Sequence, residues 1–122
     1  YDDIAGVRYV KCYDGDTCTF ELQDVPSIFE HIEVRFRGID TPERKGKCPQ
    51  ETAKAQAARL IVMSYLEQAK TITLTKVNRD KYFRLNAYVL ADGRNLSDEL
   101  IRLGYAVEYW GTGPKKDWCH AG

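Results

Sequence analysis

No apolar run in this chain approaches the roughly 20 residues that a membrane-crossing helix needs, so no membrane span is expected in it. The cysteines show no C-x-x-C spacing, and the two histidines, His31 and His120, do not complete a zinc-finger pattern. A structural zinc site is therefore set aside. Charge of one sign is also missing, because 18 basic and 18 acidic side chains cancel. A balanced surface counts against a nucleic-acid partner, since phosphate backbones select basic faces. The objection weakens where charges segregate, and basic residues do gather in two stretches, 35–47 and 76–84. Internal repeats and low-complexity tracts are absent. No signal peptide is evident and the chain opens at Tyr1 rather than Met, as expected of a mature or trimmed form.

What is present suits one soluble domain over residues 1–122. The chain has 122 residues, enough to bury about two-thirds of its unfolded surface around a single core. Its hydrophobic fraction of 43% and charged fraction of 30% are ordinary for a globular protein. Cys12, Cys18, Cys48 and Cys119 form an even set, for which disulfides are preferred over buried thiols in a reducing compartment. Three connectivities remain open at this point.

Residues 7–13 and 17–22 are rich in β-branched and aromatic side chains and flank Asp14-Gly15-Asp16, the pattern of a hairpin. After a longer connection over 23–30, residues 31–38 alternate. Ile32, Val34 and Phe36 fall on one face, with Glu33, Arg35 and Arg37 on the other. Pro42 ends that strand, and Pro49 suits the first position of a main helix over 49–68. The expected apolar stripe of this helix is Ala53, Ala57, Leu60, Ile61 and Ser64. Further strands are predicted over 71–77 and 85–91, around a polar loop at 78–84. A short helix follows over 95–103, capped by Asn95, stopped by Gly104, and apolar along Leu96, Leu100 and Leu103. Five strands with a helix between the third and fourth predict a mainly β, α+β fold: a five-stranded Greek-key barrel of the OB type with one main and one short helix. An open α+β sheet is the alternative.

Three short pieces carry chemistry: Asp14-Gly15-Asp16-Thr17, then Arg35 with Asp40-Thr41-Pro42-Glu43, then Asp80-Lys81-Tyr82-Phe83-Arg84. Singly, each reads as turn or loop chemistry. Together they place the carboxylates of Asp16, Asp40 and Glu43 at strand ends, where barrel loops converge. Oxygen-rich clusters suit a hard cation such as Ca²⁺. Arg35 and Arg84 supply planar charged forks that match phosphate oxygens. A metal, a spare carboxylate and two arginines are what phosphodiester hydrolysis requires.

The order Asp-Gly-Asp-Thr, Val-Arg-x-x-x-Ile-Asp-Thr-Pro-Glu, Asp-Lys-Tyr-x-Arg and Ala-Tyr-Val-x-Ala-Asp-Gly resembles the thermonuclease (staphylococcal nuclease-like) family over residues 7–107. The resemblance implies an OB barrel and a calcium-dependent nuclease that cuts DNA and RNA at the 5′ P–O bond to leave 3′-phosphate ends. It implies that Asp16 and Asp40 bind Ca²⁺ through their carboxylates and Thr41 through its carbonyl. Glu43 would act as general base or orient the water. Arg35 and Arg84 would clamp the scissile phosphate, and Lys81 and Tyr82 would contact a neighbouring terminal phosphate. Tyr109 and Trp110 would present aromatic faces to a base, with core packing as the other reading. Asp14 is assigned to turn geometry, and His31 and His120 to the surface. Phe83 stands where the best-known member has a small residue, and the loop between Glu43 and the helix is short. The chain also stops before that member's long C-terminal helix. Against that background a Cys48–Cys119 bridge is expected to tie the tail down, and a Cys12–Cys18 bond to brace the hairpin. Disulfides imply a periplasmic or secreted setting. Nothing in the pattern demands more than a monomer. With all five of Asp16, Arg35, Asp40, Glu43 and Arg84 present, an enzyme is favoured over a non-catalytic nucleic-acid-binding module or a protein-interaction domain on the same barrel.

Overall fold

The computed structural model describes residues 3–23, 31–79 and 85–119. Strands β1 (Ile4–Ala5), β2 (Arg8–Asp14), β3 (Thr17–Glu21), β4 (His31–Phe36) and β5 (Ile39–Asp40) precede helix α1 (Pro49–Gln68). Then follow β6 (Ile72–Arg79), β7 (Leu85–Ala91), β8 (Arg94–Asn95), helix α2 (Leu96–Leu103) and β9 (Val107–Glu108). The large sheet runs β1-β6-β7-β4-β3-β2, with β8 added to β7. Its two ends, β1 and β2, are consecutive pieces of one strand, broken at Gly6, whose φ of 69° turns the chain. The first strand thus pairs with β6 through one half and β3 through the other, which curls the sheet into the expected OB barrel. β4 and β7 pair in parallel, as in a Greek key whose third and fifth main strands are neighbours.

Alternation fills the barrel. Phe20, Val34, Phe36, Leu74, Ala87 and Val89 are buried, and α1 closes one end through Val62 and Leu66. The bounds of α1 match the sequence expectation, but its buried face does not. Glu51, Ala55, Ala58, Val62 and Leu66 point inward, whereas Leu60 is 54% exposed and Ala53 and Ser64 face outward. The helix carries apolar residues on most sides, so its own pattern selects no single stripe. The barrel surface makes the choice, and at Ala58 the helix comes close enough that a Cβ on Gly15 would meet its side chain at 2.9 Å. In α2, Leu96 and Leu100 are buried as expected, while Leu103 is 40% exposed. Asn95 caps this helix by accepting from Ser97 N at 3.0 Å, and Gly104 ends it at φ 85°.

Candidate active site

The β2–β3 hairpin sets the first acidic group. Asp14 pairs with Thr17, leaving Gly15-Asp16 as the turn. A Cβ on Gly15 would stand 2.9 Å from the Ala58 side chain, so a glycine lets the turn rest directly on α1. The Arg59 side chain donates to the Cys12 carbonyl at 2.8 Å, and Cys12 is disulfide-bonded to its ladder partner Cys18. In this braced turn Asp16 accepts from Thr17 Oγ1 at 3.0 Å. Its main-chain carbonyl accepts from Phe36 N at 2.7 Å.

Register brings the arginine to it. Arg35 faces Thr17 across the β3–β4 ladder. Its Nη2 lies 3.4 Å from Asp16 Oδ2 and 3.9 Å from Asp40 Oδ1, and donates to the Ile39 carbonyl at 3.3 Å. Asp40 arrives on β5, a two-residue strand that the chain secures late, by pairing Ile39 with Glu108 and Asp40 with Val107. Asp16, Asp40 and Thr41 are all buried.

Glu43 follows on an exposed loop whose shape is imposed from α1. The buried Glu51 carboxylate accepts from Glu43 N at 3.2 Å and Lys47 N at 2.9 Å. Gly46 is needed here, because a Cβ would come within 2.7 Å of Glu51 Cγ. Sequence reasoning missed Glu51, although a signal exists: it stands three residues after the N-cap Cys48, where a capping box places an acid. Here the acid reaches past the cap to hold the loop.

A second missed residue is Lys115. Its Nζ sits 3.6 Å from Asp40 Oδ1 and 3.8 Å from Glu43 Oε1, with Tyr109 beneath it at 5.8 Å. No local pattern marks it. The signal was indirect: the Cys48–Cys119 bond, which the structure contains, draws the tail back to the start of α1. Lys115 completes a cavity of about 460 Å³ lined by Asp14, Asp16, Arg35, Asp40, Glu43 and Arg44, among others. Burial pushes the Asp40 carboxyl above the usual range, against the pull of Lys115. Asp14 is raised too, by burial first and by neighbouring Asp16 second.

The predicted Asp16, Arg35, Asp40, Thr41 and Glu43 therefore line one cavity. Lys81, Tyr82, Arg84 and His120 lie outside the described residues. Tyr109 stands beside Lys115, whereas Trp110 is 56% exposed and covers Gly38 and Arg37. Neither aromatic lines the cavity. His31 is on the surface near Glu21. Among the described residues no set of three or more His, Cys, Asp or Glu side chains forms a ready cation cage. The donor chemistry still suits a hard ion. Two buried carboxylates and the Thr41 peptide offer oxygen alone, and Asp14 Oδ1, on the same cavity, is buried without a hydrogen-bond partner among the described residues.

An OB barrel with carboxylates and a guanidinium converging at its strand ends defines a class of small barrels with a polar, charged site. Within that class, the chain belongs to the family described as Staphylococcal nuclease homologue, which it matches over residues 33–118. It is 34% identical over 108 residues to an uncharacterized endonuclease of Escherichia coli O157:H7, covering 88% of this chain and 62% of that protein. An uncharacterized endonuclease of Haemophilus influenzae is 31% identical over 102 residues, covering 84% of this chain and 51% of its own length. The chain thus spans between about half and two-thirds of these curated relatives.

Proposed function

We propose that this chain is a calcium-dependent nuclease that hydrolyses phosphodiester bonds of DNA and RNA at the 5′ P–O bond and leaves 3′-phosphate ends. The observation that carries the reading is Arg35 set between buried Asp16 and Asp40 on the cavity that Glu43 also lines. Family membership and the endonuclease names of the relatives support it.

Asp16 and Asp40, with the Thr41 carbonyl, would hold Ca²⁺. The ion would polarise the phosphate and make a bound water more acidic. Glu43, the most exposed of these acids, orients or deprotonates the attacking water from a backbone that Glu51 holds still. Arg35, and Arg84 from its place in the motif, offset charge that develops on the phosphate oxygens. Lys81 and Tyr82 take a neighbouring phosphate, and Tyr109 and Trp110 offer faces for bases. The two disulfides favour an oxidising setting, periplasmic or secreted. No helix among the described residues is long and apolar enough to cross a membrane.

Degradation of single-stranded DNA in millimolar Ca²⁺ tests this reading. EDTA should abolish cutting, and Glu43→Ala or Arg35→Ala should slow it by about 10²–10³-fold, as loss of a transition-state contact does. Folded protein that binds the DNA with calcium present yet never cuts it would instead establish a non-catalytic binding module.

A further inference from the structure

Lys115 has an unusual position for a side chain that makes no contribution to the core. Its side chain is 49% exposed, while that of its partner Asp40 is 6% exposed. An ion pair with one half-exposed, long-stemmed partner adds little to stability. Yet the segment carrying it is firmly anchored. Trp118 is buried against α1 with Lys54 over its ring at 5.3 Å, and Asp117 accepts from Cys119 N at 2.9 Å. Cys119 is bonded to Cys48 at the N-cap of α1. A fixed anchor thus delivers a half-exposed cation to the mouth of the cavity.

The cavity rim continues that charge. Arg44 and Lys45 line it beside Lys115. An adjoining cavity of about 650 Å³ shares Asp40, Glu43 and Lys115 and adds Lys47 and Lys116. These five basic side chains outnumber the exposed acids Glu43 and Asp117 along the rim, whereas Asp16 and Asp40 lie buried within it. That division suits a polyanion lying across the mouth.

We propose that Lys115 is a substrate-binding residue that contacts a backbone phosphate of the nucleic acid flanking the scissile bond. Without substrate the same ammonium offsets the charge of Asp40 and Glu43. The proposal rests on the nuclease reading above and extends it to the tail, outside the motifs of the sequence. It has an unusual signature, because one positive charge attracts the substrate and repels a divalent cation at Asp16 and Asp40.

Two measurements on Lys115→Gln read that signature without catalysis, with Lys70→Gln as a control for generic charge loss. Anisotropy of a single-stranded DNA oligonucleotide in EDTA should show weaker binding, with a salt slope shallower by about 0.7, the value for one lost phosphate contact on a single strand. Calorimetric titration of Ca²⁺ without DNA should show tighter binding, by about 3–10-fold, the scale expected when a partly screened charge near the ligands is removed. DNA affinity and salt slope that match the control, or both ligands weakened together as by structural damage, would overturn the proposal. Wild-type protein that takes up no Ca²⁺ would overturn the calcium reading instead, and the DNA arm would still judge Lys115.

Discussion

The β2–β3 hairpin and the tail after β9 do the same job by different means. Each carries a disulfide, and each delivers charge to the same cavity: Asp14 and Asp16 from the hairpin, Lys115 from the tail. The hairpin is determined many times over. It has ladders on both sides of β3, a turn seated on Ala58, and a bond from Arg59 to the Cys12 carbonyl. Its disulfide joins residues 6 apart that already face each other. The tail has no regular structure between β9 and Cys119, and its disulfide spans 71 residues. One covalent bond therefore reinforces geometry in the hairpin and supplies it in the tail.

The largest effect should come from the tail. Cys48→Ser with Cys119→Ser should lower unfolding free energy by about 4 kcal/mol, the loop-entropy value for a closure of that length, measured by denaturant titration. If Lys115 depends on that anchor, the same protein should weaken for DNA as Lys115→Gln does, although the lysine is still there. Cys12→Ser with Cys18→Ser should cost about half as much, near 2 kcal/mol for the short loop, and leave calcium affinity within about twofold, since ladders and packing persist. A hairpin variant that loses more than the tail variant would reverse the comparison.

The smallest effect concerns pH. The carboxyl of Asp14 is raised by burial and by Asp16, so the folded chain holds its proton more tightly than the unfolded chain does. Its contribution to stability is present at low pH and is lost as pH rises through the folded value. Asp14→Asn should therefore raise the thermal midpoint at neutral pH, and the gain should fade on acidification. A gain that grows toward acid would show that Asp14 is stabilised as the anion.

Much of this was legible before any fold was known. Strand alternation, the Pro49 start and the Asn95 and Gly104 caps are local signals, and local backbone energetics produce them wherever the chain goes. The acids and arginine of the cavity were also readable, because motif residues sit at fixed offsets from strand ends. The face of α1 was not, since Ala53, Ala57 and Leu60 are as apolar as the Ala55, Ala58 and Val62 that the barrel buries.

The sequence by itself determined the five main strands and two helices, their order, and the oxygen and guanidinium chemistry available at their ends, but not the short strands β1, β5, β8 and β9. These depend on neighbours a few residues away. Tertiary structure alone decided the rest. Closure through Gly6 set which strands meet, pairing with β9 secured Asp40, and Glu51 was turned to hold the Glu43 loop. The tail's return placed Lys115, 75 residues beyond Asp40, within 3.6 Å of it. Such contacts join groups far apart in the chain, and no periodicity encodes a distance that only packing and a covalent tether impose.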